Sequence, residues 1–536
     1  MRKLPVGIQN FSKIIEGYYL YIDKTEFIYN LINGASYYFL SRPRRFGKSL
    51  LLDTISEVFS GKKELFRGLW IYDSGYSFEK HPVIRLDMSN IANKTPEVLE
   101  ESILNELTTR IEDEGLLESK KNPADMFKYL IQSLYKKYNK RVVVLIDEYD
   151  KPILDHIANV ETAEANRQVI RDFYGILKSM DPYLEFTFLT GVSKFAKTSV
   201  FSELNNLKDI TLSEEYANIC GIAVEDLDKY FAEHINSLKT LKRFKDCSSI
   251  NDEILAWYDG YSWDGVNRVI NPFSLLSFFS QKRFSAFWYA SGTPKFLIDL
   301  IKKNPAEYSN LKTPVMTEYM LDSADFNKLE ATPLLFQSGY LTIKAVETSF
   351  DGDSYILDMP NFEVRRAFNQ NIIASFTDSG HTAAENTRLD MAKAFQDGDL
   401  QKILEPLRSL FASIPYELHI DREAYYHSIF YAIMNVHGFD IDAEASVSKG
   451  RIDAVLEHGG NVYVMEFKYV KCPQNASDEK KKALFDKALN EGMGQIKARG
   501  YYKKYVGGGK NIHLAALAFL GRDDIEMKTE LLQGAP

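Results

Sequence analysis

Hydrophobic positions along the chain switch between two periods. Residues 37–40 and 142–146 are unbroken apolar runs of strand length, and the second reads as a strand buried on both faces of a parallel sheet. Residues 81–87 and 184–189 read as further strands, with 207–212 as a fifth. Between them, apolar residues recur at helical spacing over 24–33, 50–59, 125–138 and 163–179. Thr95 and Pro96 supply an N-cap and a first helical position for a helix reaching residue 112. This alternation predicts an α/β domain over residues 1–212, built on a parallel sheet with right-handed crossovers.

After residue 212 the pattern breaks into short helices such as 224–235 and 251–258. Three of the four Trp fall in 257–263 and 287–294, where aromatics beside Gly and Pro predict an irregular core. A helix at 331–337 precedes a hairpin that pairs 340–346 with 355–358 and turns at Asp351-Gly352-Asp353. Residues 213–366 are therefore expected to form a helical, winged-helix-like lid, and 367–415 a helical connector. Residues 416–536 predict a second α/β domain: a helix at 421–436, strands at 451–457 and 462–469 around Gly459-Gly460, and a helix from 478 to 505.

At 536 residues, 45% hydrophobic and 26% charged, the chain has the composition of a soluble globular protein of several domains. No apolar run is long enough to cross a bilayer, and the first residues lack the apolar core of a signal peptide. A cytoplasmic protein without a membrane partner is expected. Cys220, Cys247 and Cys472 are too scattered for a disulfide framework or a zinc site. A net charge of −9 argues against global attraction to nucleic acid but is compatible with a local basic groove.

The stretch YYFLSRPRRFGKSLLL, residues 37–52, reads as strand, phosphate loop and helix. In a loop formed by Arg44, Arg45, Phe46, Gly47, Lys48 and Ser49, backbone N–H groups face nucleotide phosphates, Lys48 adds a point charge, and the Ser49 hydroxyl holds Mg²⁺. Arg42, followed by Pro43, stands where such loops carry Gly. A side chain at positive φ is strained, so a differently shaped loop entry is expected. Asp147 and Glu148 follow the 142–146 strand directly, where open α/β sheets bind ligands. Asp147 is expected to hold the Mg²⁺ and Glu148 to polarise the attacking water. Thr190 and Ser193 end a strand expected beside the acidic one, as γ-phosphate sensors or as turn formers. Arg44 or Arg45 is expected on phosphate, in its own subunit or in a neighbour within a homo-oligomer.

In the C-terminal hairpin, a two-residue turn pairs His458 with Asn461, and that register carries Asp453 opposite Glu466, with Lys468 on the face of Glu466. Facing carboxylates about 5 Å apart at Cβ repel, and a divalent cation resolves that. Mg²⁺, or Mn²⁺ in its place, takes such oxygen ligands and activates water toward a phosphodiester, with Lys468 positioning the water or stabilising developing charge. Glu423 of the preceding helix is a candidate to complete the site, with Tyr426 and His427 one turn on. Leu484, Ala488, Leu489, Met493 and Ile496 form the apolar face of the last helix, with Gln495 beside it. Lys480, Lys481, Lys482, Lys497, Arg499, Lys503 and Lys504 either follow a phosphate backbone or form a solvated face.

The segments LSRPRRFGKS, VVVLIDEYDKP, GRIDAVL, VYVMEFKY and GQIKARGYYKKY, with the Trp-Tyr-Asp-Gly-Tyr and Ser-Gly-Thr-Pro stretches, resemble the bacterial AAA-ATPase-like proteins with a C-terminal PD-(D/E)XK nuclease domain. The likeness spans nearly the whole chain, and Arg42-Pro43-Arg44-Arg45 looks like that family's own form of the loop. It implies a P-loop ATPase domain and a restriction-endonuclease-like domain, with ATP and Mg²⁺ at Lys48, Ser49, Asp147 and Glu148. It implies nuclease roles for Asp453, Glu466 and Lys468, with Glu423 and Gln495 as flanking helical motifs. The expected function is an ATPase controlling a metal-dependent nuclease that acts on nucleic acid, with DNA the expected substrate. The alternative is an ATP-driven switch whose C-terminal domain binds nucleic acid or protein without cutting.

Overall fold

In the computed structural model, the described residues are all but 118–121, 195–205, 246, 248, 289–313, 323–330, 377–388, 392, 413–429, 431–440, 448–449, 459, 472–475, 521–523 and 533–536. The chain divides into two compact units, residues 1–296 with 312–363, and 297–311 with 364–536.

The first unit is built on a five-stranded parallel sheet in the order β2-β3-β4-β1-β5. Its strands are β1 (Tyr37–Ser41), β2 (Val83–Asp87), β3 (Val142–Asp147), β4 (Leu184–Gly191) and β5 (Lys208–Asp209). Every residue of β1 and β3 is buried, which is why both read as unbroken apolar runs. β4 lies between the phosphate-loop strand and the acidic strand, pairing Leu40 with Thr190 on one side and Ile146 with Leu189 on the other. The ends of β1, β3 and β4 thereby meet at one edge of the sheet. The helix Lys48–Phe59 leaves that edge from Gly47, with Leu51, Leu52, Ile55, Val58 and Phe59 against the core. Thr95 caps the helix Pro96–Asp113 through the Val98 N–H. Asp53 accepts the Phe11 N–H at 2.6 Å and pairs with Arg85 of β2, tying the N-terminal segment to the loop helix.

The rest of this unit is aromatic. Helices Asp226–Lys239, Ile250–Tyr258 and Pro272–Gln281 share a core containing Phe231, Tyr258, Phe278 and Phe287, each fully buried side chain worth about 1.5–3 kcal/mol. Strands β6 (Ile222–Ala223) and β7 (Val269–Ile270) pair antiparallel, and β8 (Val315–Thr317), β9 (Thr342–Ser349) and β10 (Gly352–Asp358) form a sheet in the order β8-β10-β9. The expected hairpin is present after the helix Ala331–Ser338, but its turn differs. Ser349 pairs with Gly352, so Phe350-Asp351 make the turn and Gly352, at φ +120°, opens β10.

The second unit holds a mixed sheet in the order β11-β12-β13-β14-β15, formed by β11 (Ile441–Val447), β12 (Gly450–His458), β13 (Asn461–Val470), β14 (Asn511–Leu520) and β15 (Asp524–Leu532). Only β13 and β14 run parallel, joined by the helix Asp478–Arg499. Ala488, Leu489, Met493 and Ile496 of that helix pack on Val462, Val464 and Leu514. The helix ends at residue 499, earlier than expected, because Gly500 turns left-handed at φ +63° and Tyr501–Tyr505 continue as a 3₁₀ turn. Among the described residues no helix is long and apolar enough to cross a membrane.

Candidate functional site

Arg42 departs from expectation at the phosphate loop. The loop's positive-φ residues are Arg45 at +70° and Gly47 at +94°, and Arg42 is not among them, so the side chain at position 42 costs no backbone strain. That side chain is fully buried. Its guanidinium donates to the carbonyls of Ser41 at 2.9 Å, Thr211 at 2.8 Å and Tyr216 at 3.3 Å, and lies 4.0 Å from the centre of the Trp263 ring. Burial brings its pKa down to about 10, while carbonyl oxygens and an aromatic face take the place of a counter-ion. The loop is gripped from the aromatic region as well. Phe46 meets Tyr261 and Trp263 edge to face at 4.7 and 5.4 Å, and the Trp288 indole N–H donates to the Arg44 carbonyl at 3.1 Å. A sequence gives no sign of these partners, which lie more than 200 residues away.

Lys48 is buried, with its ammonium donating to the carbonyls of Arg42 at 2.8 Å and Pro43 at 3.1 Å. Burial lowers its pKa against the opposing pull of Asp147, Glu148 and Asp150. Asp147 accepts the Thr190 hydroxyl at 2.7 Å, as the strand order requires. Glu148 sits at φ +49°, and burial raises its pKa, helped by Asp147 and Asp150 and opposed by Lys48. Asp150, the second Asp of Asp-Glu-Tyr-Asp, was not singled out from the sequence. It accepts the Val192 N–H and both the N–H and hydroxyl of Ser193, the latter two at 2.6 Å, so Ser193 closes a turn here. Exposed Arg44 and Arg45 join Gly47, Lys48, Ser49 and Glu148 in lining a cleft of about 370 Å³. Arg45 also lies 4.9 Å from the Phe273 ring. An apolar pocket of about 100 Å³, lined by Tyr21, Lys24, Phe46 and Cys220, shares Gly47 and Leu50 with that cleft.

In the second unit the hairpin ladder runs from His458–Asn461 to Ala454–Met465, the register in which the next pair is Asp453 with Glu466. There the Asp453 carboxylate accepts the Phe467 N–H at 2.7 Å. Glu466 is 1% exposed, with one oxygen 3.4 Å from the Lys468 ammonium and the other without a hydrogen-bond partner among the described residues. Burial pushes its pKa up to about 7, Asp453 adds to the rise, and Lys468 and Arg499 oppose it. A Cβ on Gly492 would stand 3.7 Å from Lys468 Cγ, which places the helix against the lysine stem. Gln495 is half-buried one turn further on. Glu423, Tyr426 and His427 lie outside the described residues, and among those described no group of three or more His, Cys, Asp or Glu gathers to hold a metal. Of the helix's basic residues, Lys481 pairs with Asp524 at 2.9 Å and Lys497 with Glu530. These two belong to a salt-bridged face.

The donors present suit a hard divalent cation at both places: a hydroxyl and a carboxylate at Ser49 and Asp147, and two carboxylates, one with an unpartnered buried oxygen, at Asp453 and Glu466. Comparison with known proteins matches the two ends of the chain to different families. Residues 5–201 match the family described as predicted AAA-ATPases, and residues 421–529 match the PD-(D/E)XK nuclease superfamily. A protein of Azotobacter chroococcum mcd 1, described as an uncharacterized protein in the vnfD 5' region, is 36% identical over 526 residues, covering 97% of this chain and 96% of its own length.

Proposed function

We propose, because this chain belongs to the AAA-ATPase-like proteins with a C-terminal PD-(D/E)XK nuclease superfamily domain, that it binds and hydrolyses ATP at the phosphate loop and cleaves a nucleic acid, DNA in the first instance, at the C-terminal hairpin. The observation that carries the nuclease half is the buried oxygen of Glu466, beside Asp453, that has no hydrogen-bond partner among the described residues. A carboxylate this desolvated is held in its charged form by positive charge, and Lys468 meets just one of its two oxygens, which leaves the other for a metal ion.

At the first site the triphosphate occupies the polar cleft, and the base enters the apolar pocket that meets it at Gly47. Lys48 exchanges its two loop carbonyls for phosphate oxygens. Glu148, held more basic than an ordinary carboxylate by burial, takes the proton of the attacking water, and Thr190 orients Asp147. Mg²⁺ held by Ser49 and Asp147, and Mg²⁺ or Mn²⁺ held by Asp453 and Glu466, would supply Lewis-acid chemistry to the reacting phosphates. Lys468 faces the same space as Glu466 and stabilises the charge that develops on the phosphodiester. The setting is taken to be the cytoplasm of a bacterium.

Labelled DNA and RNA incubated with Mg²⁺ or Mn²⁺, with and without ATP, test this reading. The expected result is cleavage that requires Asp453 and changes with ATP. ATP turnover with no cleavage of either polymer would favour instead an ATP-driven switch with a binding domain.

A further inference from the structure

The helix Asp478–Arg499 links parallel strands β13 and β14, so it runs back along β13. Gly492 marks the register: a Cβ there would stand 3.0 Å from the Ala516 Cβ and 3.7 Å from Lys468 Cγ. Arg499 stands seven residues on, two turns away on the same helix face, after an advance of about 10.5 Å. At about 3.3 Å per strand residue, that distance leads from Lys468 back about three residues along β13, to the level of Met465, one residue past Glu466. Arg499 lies near enough to Glu466 and Asp453 for its charge to act on both carboxylates.

Its orientation is fixed locally. Gly500 stops the helix at φ +63°, and Tyr501, 2% exposed in the core beneath, places its hydroxyl 2.9 Å from the Arg499 guanidinium. The Tyr501 hydroxyl is the largest influence holding the arginine's proton, and Glu466 and Asp453 act in the same direction. Arg499 in turn steadies ionised Glu466. Two carboxylates, Lys468 and Arg499 form a formally balanced cluster that an incoming divalent cation and phosphodiester would rearrange around. A planar guanidinium is the side chain best matched to two non-bridging phosphate oxygens.

We propose that Arg499 is a further catalytic residue of the C-terminal site, contacting the scissile phosphate and stabilising its transition-state charge. The inference rests on the nuclease reading. Arg499 gives up no proton; the bond to the leaving oxygen breaks as the attacking water's oxygen bonds to phosphorus, the attacking water releasing one proton to solvent water and the leaving oxygen taking one up from it.

The test compares wild type with Arg499→Ala, Arg499→Lys and Tyr501→Phe on a fluorophore-labelled single-stranded oligodeoxynucleotide and a supercoiled plasmid in Mn²⁺. Arg499→Ala is expected to lower kcat about 10²-fold, the usual cost of one transition-state donor. Arg499→Lys should recover part of that loss, and Tyr501→Phe should cost less than 10-fold. In a Lys48→Ala, Asp147→Ala background, the rise in Tm on adding Mn²⁺ should be the same with Arg499 or Ala. Cleavage by Arg499→Ala at the wild-type rate overturns the inference, as does loss of the Mn²⁺-induced rise, which would mark a structural role. A wild type that cleaves nothing removes the nuclease reading instead. A catalytic role for Arg499 falls with it; a contact with phosphate is then read from binding of the same oligonucleotide in Ca²⁺, and unchanged affinity in Arg499→Ala removes that as well.

Discussion

Both chemical regions set acidic side chains on a sheet, yet the two sheets treat them differently. At the end of β3, each carboxylate studied has company: Asp147 has the Thr190 hydroxyl, Asp150 has two N–H groups and a hydroxyl from residues 192–193, and Glu148 opens on the cleft with Lys48 nearby. A parallel sheet puts three strand ends side by side, and their loops supply donors. On the antiparallel hairpin, the charged neighbours of Glu466 among the described residues are another carboxylate, one lysine and one arginine, and none of the described residues bonds to one of its oxygens. The first arrangement is complete as a protein structure, whereas the second calls for a cation. The contrast predicts that metal binding and stability are coupled tightly in the C-terminal unit and loosely in the N-terminal one.

The sharpest way to break this comparison is Asp453→Asn. Cleavage should fall by about 10³-fold or more, since several kcal/mol of metal-derived stabilisation is lost. The metal-free protein should fold normally and be no less stable, because a like charge has been removed. In the Lys48→Ala, Asp147→Ala background the Mg²⁺-induced rise in Tm should shrink; an undiminished rise with retained cleavage would show the pair to be a surface feature. Next, Glu148→Gln should slow ATP hydrolysis about 10²–10⁴-fold with little change in ATP affinity, read from single turnover and equilibrium binding. Lys48→Ala should weaken ATP binding about 10–100-fold, the worth of a charge-assisted contact. Unchanged turnover and affinity in these two variants would remove the ATPase assignment.

The smallest expected effect separates burial from pairing. Glu363 in the first unit is fully buried, accepts the Trp288 backbone N–H at 2.7 Å, and has its pKa pushed up to about 7 by burial, with no carboxylate among the described residues adding to the rise. A carboxyl whose folded pKa exceeds its ordinary value gives stability that is present below about pH 4.5 and lost as pH rises through about 7. Between pH 5 and 7 the loss is about 2 kcal/mol. Glu363→Gln should flatten that slope, measured as Tm against pH, with or without Mg²⁺. Glu466→Gln should flatten the corresponding slope only without Mg²⁺, because a bound cation already holds Glu466 ionised. Equal behaviour of the two variants in Mg²⁺ would erase the distinction.

Much of this was legible from the sequence because it depends on period. Runs such as 142–146 announce buried strands, and the hairpin register follows from a turn and a count, which is why the ladder runs from His458–Asn461 to Ala454–Met465. What period does not encode is satisfaction. Nothing in the local sequence tells that Arg42 finds three carbonyls and an indole, or that Asp150 serves the end of another strand. The helix end at Arg499 was carried by a single residue, Gly500, inside a stretch whose charges looked continuously helical. The Arg499 and Glu466 relation likewise needs the helix to be laid back along β13, a matter of topology.

The hold of the aromatic region on the phosphate loop also has an optical consequence. The chain has four tryptophans, of which Trp70 is 42% exposed. Trp263 is buried with a guanidinium of the loop entry against its face, and Trp288 is buried with its indole N–H on a loop carbonyl. Emission from a shielded indole depends on just such neighbouring charges and hydrogen bonds. Half of the chain's indoles are thus wired to the loop, and its rearrangement around a nucleotide will register as a change in intrinsic fluorescence, without any label.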